Sequence, residues 1–142
     1  MNALFPKQTS KATLLVVDDD EIDREIILRA LAEHGLEVPV AYAANGNEAI
    51  ELMKAETDTA FVVLLDLNMP VLDGFETLDV MRNDPDLMKT PVFILSTSDE
   101  ERDIDQSYRL GISGYLRKAE IDEGMERIIT LMRAYIETVK LP

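Results

Sequence analysis

The sequence contains no cysteine and no tryptophan, and it has a single histidine, His34. Without cysteine, neither a disulfide framework nor thiol chemistry is available. The position of His34 directly before Gly35 predicts the C-terminal end of a helix, and a lone histidine gives little support to acid–base catalysis by imidazole. Any chemistry of this chain must therefore rest on other side chains.

Basic residues are also scarce, because 14 lysines and arginines stand against 28 aspartates and glutamates, for a net charge of -14. This charge repels nucleic-acid backbones and anionic membranes, so binding to either is not expected, whereas metal cations and basic partners are favoured. No stretch approaches the roughly 18 apolar residues of a membrane span, and residues 1–11 lack the apolar core of a signal peptide. We therefore expect a cytoplasmic protein.

The length of 142 residues predicts a single domain with its own core. We expect residues 1–10 to form a flexible N-terminal arm, residues 11–137 to form the domain, and residues 138–142 to form a C-terminal tail. Three helix starts within the domain carry capping signals: Asp20, the Asp73–Glu76 pair and the Ser98–Glu101 pair.

Short apolar runs alternate with amphipathic helical segments through this domain. Residues 61–65 (FVVLL) are unbroken apolar, which is typical of a parallel strand covered on both faces. The predicted strands are residues 13–17, 38–43, 61–65, 91–95 and 111–118. The predicted helices are residues 21–34, 46–54, 74–82, 98–110 and 121–139. This order predicts an α/β fold: a doubly wound, five-stranded parallel sheet with right-handed crossovers and helices on both faces.

Polar side chains follow several of the predicted strands, and the ends of parallel strands share one edge of a sheet. Asp18 and Asp19 follow the first strand, and Asp66 follows the third. If three carboxylates meet there, each pair at ~4 Å repels by about 4 kcal/mol at an effective dielectric of 20, so a cation is required. Oxygen ligands alone favour a hard ion, and a partial cage with room for phosphate favours Mg²⁺. The spacing of a calcium loop, D-x-D-x-D-G, is missing.

The fourth and fifth strands end in a hydroxyl, Ser96, and an ammonium group, Lys118. Thr97 competes with Ser96 for the hydroxyl role. Carboxylate, magnesium, hydroxyl and lysine together make a phosphoryl-transfer site. In such a site Asp66 would be the nucleophile and would form an acyl phosphate.

The segments VVDDD, LLDLNMPVLDG, ILSTS and GISGYLRK resemble the motifs of the receiver domain of two-component response regulators. The resemblance covers residues 12–137, with four motifs in the family's order and spacing. It implies a flavodoxin-like receiver fold with five helices and the strand order 2-1-3-4-5. It also implies a signalling protein, not an enzyme with a separate substrate, that assists its own Mg²⁺-dependent phosphorylation and dephosphorylation.

The resemblance carries over site roles residue by residue. Asp18 and Asp19 match the acidic metal-binding pair, and Asp66 matches the phosphoacceptor. Asn68, two residues beyond the acceptor, matches the position whose backbone carbonyl binds the metal in that family. These four residues are therefore the expected metal site.

Three further positions match the family's remaining functional residues. Ser96 matches the hydroxyl that bonds a phosphoryl oxygen, Lys118 matches the lysine that pairs with the phosphate, and Tyr115 matches the aromatic switch residue. The family usually has proline after the lysine, whereas this chain has Ala119, which puts the path of the following loop in doubt.

The tail TVKLP and the long last helix resemble the single-domain regulators that serve bacterial phytochromes. The implied partner is a sensor histidine kinase, and the phytochrome link follows from this weaker resemblance alone. With no output domain in the sequence, we expect the signal to leave through protein contacts. The alternatives are a pseudo-receiver that binds without taking phosphate, and a haloacid-dehalogenase-like phosphatase, which needs an aspartate where Asn68 stands.

The last helix carries more apolar residues near its end than we expect one domain to cover. We predict a homodimer through this helix and the tail, with four contact residues: Met132, Tyr135, Ile136 and Val139. Packing of Tyr135 and Ile136 within one chain is the alternative.

Overall fold

The computed structural model describes residues 12–69, 72–117 and 121–142, and for residues 121–124 it describes the backbone only. Five strands and five helices alternate along these ranges. The strands are β1 (Ala12–Val17), β2 (Val40–Ala43), β3 (Ala60–Leu65), β4 (Val92–Ser96) and β5 (Gly114–Arg117). The helices are α1 (Glu21–Glu33), α2 (Gly46–Ala55), α3 (Gly74–Arg82), α4 (Glu101–Arg109) and α5 (Ile121–Thr138). Within the described ranges, none of the helices is long and apolar enough to cross a membrane.

All pairings in the sheet are parallel, and the strand order is β2-β1-β3-β4-β5. The predicted fold class and strand order are thus confirmed. Two strands, β2 and β5, begin two or three residues later than predicted. Pro39, which has no backbone N–H, precedes β2, and Gly111 adopts a positive φ of 76° in the turn before β5. The predicted N-terminal arm, residues 1–10, lies outside the described residues.

The central strands are covered on both faces. Successive side chains of a strand point to opposite faces, so β1 and β3 supply two separate cores. Leu15 and Val63 belong to the core under α2 and α3, whereas Leu14 and Val62 belong to the core under α1 and α5. This two-sided burial explains why residues 61–65 carry no polar side chain.

The last helix contributes to one of these cores rather than leaving its apolar face uncovered. Met132 is completely buried, and the ring of Tyr135 packs edge-on against Phe93 with 5.0 Å between ring centroids. Ile136 and Leu141 also pack against this core. The expectation that this helix leaves apolar surface uncovered is therefore wrong for Met132, which faces the sheet and is not available to a partner.

Arg82, at the end of α3, ties together two loops on the amino side of the sheet. Its guanidinium donates to the carbonyl oxygens of Leu110 (2.7 Å) and Gly111 (3.2 Å), and to those of Met88 (3.2 Å) and Thr90 (3.1 Å). Partial burial lowers the pKa of Arg82. The long side chain of Arg82 therefore donates hydrogen bonds to carbonyl groups of the turns that precede β4 and β5.

Replacing Arg82 with methionine should lower the free energy of unfolding by about 2 to 3 kcal/mol, because two part-buried and two exposed carbonyl oxygens lose a charged donor. Urea unfolding with an unchanged m-value measures this. Arg102→Met is the matched control, since the Arg102 side chain is 83% exposed and its loss should stay within about 0.5 kcal/mol. Equal losses in the two variants would contradict the role assigned to Arg82.

Candidate phosphoacceptor and metal site

The acidic residues after β1 and β3 continue the hydrogen-bond ladder of the sheet. The backbone N–H of Asp66 donates to the carbonyl of Val17 (3.0 Å), and the N–H of Asp18 donates to the carbonyl of Ala43 (3.1 Å). Val17 and Leu65 are register partners at the ends of their strands. Asp18 and Asp66 are therefore fixed by the sheet itself, one residue beyond its last apolar pair.

Three carboxylates meet at this edge. One oxygen from each of Asp18, Asp19 and Asp66 lies within 4.8 Å of the others. Asp18 and Asp66 are only 2% and 6% exposed, whereas Asp19 is exposed. Carboxylate oxygens at this spacing repel one another, and they are the ligands that Mg²⁺, Mn²⁺ and Ca²⁺ prefer. The geometry therefore fits a divalent cation held from one side.

The loop that carries Asp18 and Asp19 is anchored at both ends. Asp20 caps α1, with its carboxylate accepting from the N–H groups of Ile22 (2.9 Å) and Asp23 (3.2 Å), as predicted. The N–H of Asp20 in turn donates to the Asp18 carboxylate (2.9 Å). Capping of the helix thus also orients one of the three acids.

Arg24 is a neighbour of the site that the sequence analysis did not identify. Its guanidinium donates to the backbone carbonyl of Asp18 (2.8 Å) and lies over the ring of Tyr42, 5.2 Å from the centroid. In the sequence, an arginine in the first turn of a helix looks like an ordinary solvent-exposed charge. Only the structure, in which Arg24 lies close to β2, shows its role. Arg24 holds the β1–α1 loop against the edge strand.

The loop after β3 is tight because Gly74 lies directly against it. The N–H of Gly74 donates to the carbonyl of Leu67 (3.0 Å), and a Cβ on Gly74 would lie 2.6 Å from the carbonyl oxygen of Asp66. The predicted capping box of α3, Asp73 with Glu76, is present. Asn68 is exposed, and its N–H donates to the Asp66 carboxylate (3.3 Å).

Ser96 ends β4 and is completely buried. Its hydroxyl oxygen accepts a hydrogen bond from the N–H of Ser98 (3.1 Å). The hydroxyl of Tyr115, on β5, donates to the carbonyl of Ser98 (2.9 Å). The two residues predicted to form the switch, Ser96 and Tyr115, therefore both contact the loop between β4 and α4.

The predicted capping role of Ser98 was wrong. The helix begins at Glu101, its N-cap is Glu100, and no side chain caps it. The hydroxyl of Ser98 donates instead to the carboxylate of Asp103 (2.6 Å). The Ser98–Glu101 spacing was misleading because the loop continues for two residues beyond Ser98.

Two residues of the predicted site region, Lys118 and Ala119, lie outside the described residues. The strand that leads to them, β5, ends at Arg117, which pairs with Asp99 (3.3 Å). The role of Lys118 therefore remains a prediction from the sequence.

Residues 14–130 match the response regulator receiver domain family. The match covers most of the chain, and the chain belongs to this family. The cluster of Asp18, Asp19 and Asp66 therefore lies in a receiver domain.

Among its relatives, the chain is 28% identical to response regulator Rcp1 of Synechocystis over 135 residues, which cover 91% of this chain and 92% of Rcp1. The structure of Mn²⁺-bound Rcp1 is similar with a TM-score of 0.78, covering 92% of this chain and 98% of that one. The structure of phosphorylated RcpA, a cyanobacterial phytochrome response regulator, has a TM-score of 0.80 and 31% identity, covering 92% and 97% of the two chains.

A third similar structure is that of RPA3017, a response regulator in red light signaling of R. palustris. Its TM-score is 0.80 at 29% identity, with 92% of this chain and 98% of that chain covered. The chain is therefore similar, over nearly its whole length, to two regulators, RcpA and RPA3017, whose descriptions refer to phytochrome or red light.

Replacing Asp19 with asparagine should raise the free energy of unfolding by about 1 kcal/mol in the presence of a chelator, because it removes repulsion between this exposed carboxylate and two buried ones whose oxygens lie within 4.8 Å. Chemical unfolding in EDTA measures this. Asp105→Asn, which changes an exposed acid on α4, is the control and should bring no gain. A loss of stability in Asp19→Asn would contradict the repulsion.

Proposed function

We propose that this chain is a response regulator that accepts a phosphoryl group on Asp66 from the phosphohistidine of a sensor histidine kinase, with Mg²⁺ as cofactor. The observation that carries the proposal is the convergence of Asp18, Asp19 and Asp66 within 4.8 Å in a chain of the receiver family. In this reading the protein signals by changing its contacts and has no separate substrate.

Asp66 supplies the nucleophilic oxygen. As this oxygen bonds to phosphorus, the bond between phosphorus and the histidine nitrogen breaks, and the nitrogen keeps the electron pair. The N–H of Asn68 holds the Asp66 carboxylate (3.3 Å) and orients it for attack. Burial of Asp66, which is 6% exposed, limits access of water to the acyl phosphate.

Asp18 and Asp19, together with Asp66 and the backbone carbonyl of Asn68, would hold the cation. The donor set fits, since every ligand is oxygen and Mg²⁺ selects oxygen. When bound, Mg²⁺ offsets the repulsion among the carboxylates and the phosphoryl oxygens. The Mn²⁺-bound form of Rcp1 supports a divalent ion in a relative of this chain.

Ser96 and Lys118 would bind the transferred group. The hydroxyl oxygen of Ser96 accepts from the N–H of Ser98, and this leaves the hydroxyl hydrogen available to donate to a phosphoryl oxygen. Lys118 would pair with another phosphoryl oxygen as an ammonium group. We assign this role to Lys118 from its place in the motif.

Tyr115 would report the state of the site. Its hydroxyl bonds the Ser98 carbonyl, so any movement of the β4–α4 loop towards a phosphorylated Asp66 changes the position of the ring. A difference of a few kcal/mol between two loop conformations is enough for a switch. The output would be a change in the surface between Ser98 and Lys118.

The similarity to RcpA and RPA3017 supports a bacterial phytochrome as the partner kinase. We accordingly place the protein in the cytoplasm, where a receiver meets the ATP-dependent domain of its kinase. The acidic charge of -14 argues against nucleic acid or an anionic membrane as a direct partner.

The two alternatives are less well supported. A pseudo-receiver that works by binding alone would not need three converging carboxylates with a buried nucleophile. A haloacid-dehalogenase-like phosphatase would need an acid at position 68, and membership of the receiver family argues against it.

We also propose a homodimer through the end of α5 and the tail. Leu131 on α5 is 39% exposed, and Val139, the residue directly after α5, is 40% exposed, so the outer side of this end of the chain offers apolar surface. Leu141 packs against the core of its own chain. In a dimer with exchanged tails, the same contact would form with the partner's core at little cost.

Incubation with Mg²⁺ and acetyl phosphate should add one phosphoryl group to the protein, because Asp66 is the acceptor. Intact mass spectrometry measures the gain. Asp66→Asn and a magnesium-free sample should show none. A gain in Asp66→Asn would move the acceptor elsewhere, and no gain in any sample would favour the pseudo-receiver.

A pair of neighbouring variants in the same experiment isolates the proposed role of Lys118. Lys118→Met should slow phosphorylation at least tenfold, since it removes charge stabilisation of the transferred group. Arg117→Met removes an equal charge from an exposed side chain paired with Asp99 and should have little effect. Equal phosphorylation rates in the two variants would contradict the role assigned to Lys118.

Val139→Asp, or removal of residues 139–142, should convert the dimer to a monomer, because a charge or a gap replaces the apolar contact. Light scattering coupled to gel filtration measures the mass. Val80→Asp is the control, since Val80 on α3 is also 40% exposed and lies outside the proposed interface. A mass that is the same for the wild type and both α5 variants would rule out this dimer.

A further inference from the structure

Three elements of the site are connected through one residue, Ser98. Its N–H donates to the Ser96 hydroxyl (3.1 Å), and its carbonyl accepts from the Tyr115 hydroxyl (2.9 Å). Its own hydroxyl donates to Asp103 on α4 (2.6 Å). Ser98 therefore joins the proposed phosphoryl-binding hydroxyl, the proposed switch residue and a helix.

Of these three hydrogen bonds of Ser98, the one to Asp103 is of the strongest type. A hydroxyl that donates to a carboxylate forms a charge-assisted bond, which is shorter and roughly twice as strong as one between neutral groups. Its length of 2.6 Å and its partial burial are those of such a bond. The carbonyl of Asp103 also accepts from Ser107, which is completely buried (2.8 Å). Asp103 is thus itself anchored within α4.

Among the described residues, the loop has few other anchors of this kind. Ser98 is two residues beyond β4, and α4 begins at Glu101 with no side chain capping it. Besides the bond to Asp103, the Ser98 hydroxyl accepts a longer hydrogen bond from the N–H of Glu100 (3.3 Å). Arg117 reaches Asp99 across an exposed gap (3.3 Å), which contributes little. The Asp103 carboxylate is therefore the main fixed point to which the loop is tied.

We propose that Asp103 is a positioning residue for phosphoryl transfer, which acts through Ser98 to hold the Ser96 hydroxyl and the Tyr115 ring in place. The proposal rests on the proposed function, because it concerns the rate at which Asp66 takes a phosphoryl group. Without the carboxylate, the Ser98 hydroxyl loses its acceptor and the loop gains alternative conformations. In most of these, the Ser96 hydroxyl no longer has its donor from Ser98. Asp103 thus connects the outer surface of α4 to the phosphoacceptor.

The experiment compares initial rates of phosphorylation by acetyl phosphate in the wild type, Asp103→Leu, Asp103→Asn, Ser98→Ala and the Ser98→Ala/Asp103→Leu double variant. Asp103→Leu and Ser98→Ala should each be slower by roughly fivefold to tenfold, which is less than the full effect of losing a hydrogen bond to a charged group because Asp103 acts on the site only through Ser98. Asp103→Asn keeps an oxygen acceptor and should stay within about twofold of the wild type. Because Leu and Asn both remove the charge, their difference isolates the hydrogen bond.

The double variant distinguishes positioning through Ser98 from a general effect on α4. It should be no slower than either single variant, since both break the same contact. Asp105→Leu, at an exposed acid of the same helix, is the matched control and should be as fast as the wild type. Additive losses in the double variant, or equal losses in Asp105→Leu, would overturn the proposal.

A second readout follows the Tyr115 ring without phosphorylation. In protein labelled with 3-fluorotyrosine, the ¹⁹F resonance that disappears in Tyr115→Phe should shift or broaden in Asp103→Leu and Ser98→Ala, but not in Asp103→Asn. An unchanged resonance would overturn the proposal. If the wild type takes no phosphoryl group, the proposed function fails and this inference fails with it. If the wild type takes one and Asp103→Leu is equally fast, only this inference fails.

Discussion

Pairing of β1 with β3 is the constraint on which the rest of the structure depends. Val17 and Leu65 are register partners, and the N–H of Asp66 extends the ladder to the carbonyl of Val17. Two acids are thereby held side by side at the carboxyl edge of the sheet. Mutual repulsion of such carboxylates costs about 1 to 4 kcal/mol for a pair, depending on the effective dielectric. Burial of a single valine or leucine contributes about 1.5 to 3 kcal/mol, and the two strands bury several, so burial prevails.

The helices contribute to the site chiefly through their first turns. Asp20 caps α1 and at the same time bonds the Asp18 carboxylate through its N–H. Asp73 caps α3, and Gly74 brings that helix within contact of the Asp66 carbonyl, where any Cβ would collide. The start of α4 is different, because it has no side-chain cap and its loop is held by Ser98 and Asp103. The loops that carry acids therefore lead directly into capped helices, whereas the loop between β4 and α4 is held mainly through Ser98, by its bonds to Asp103 and Tyr115.

Three arginines on helices have very different roles in this chain. Arg102 is exposed, whereas Arg82 donates to carbonyl groups of two loops and Arg24 donates to the carbonyl of Asp18. In the sequence, each of the three is simply an arginine on a predicted helix. What distinguishes them is which loop or strand lies within reach of the guanidinium, and this depends on contacts between residues far apart in the sequence.

The sequence by itself determined the alternation of strands and helices, the parallel sheet, and the acids and hydroxyl at the strand ends. It did so because two-sided burial leaves unbroken apolar runs such as residues 61–65, which stop at the end of β3. Its capping rule succeeded at Asp73, where the helix starts directly, and failed at Ser98, where the loop continues for two more residues before α4 begins. Only the tertiary structure decided that Met132 is buried, that Arg24 and Arg82 support loops, and that Ser98 connects Ser96, Tyr115 and Asp103. These features depend on which elements pack together, and a local pattern of residues carries no information about a neighbour that is distant in the chain.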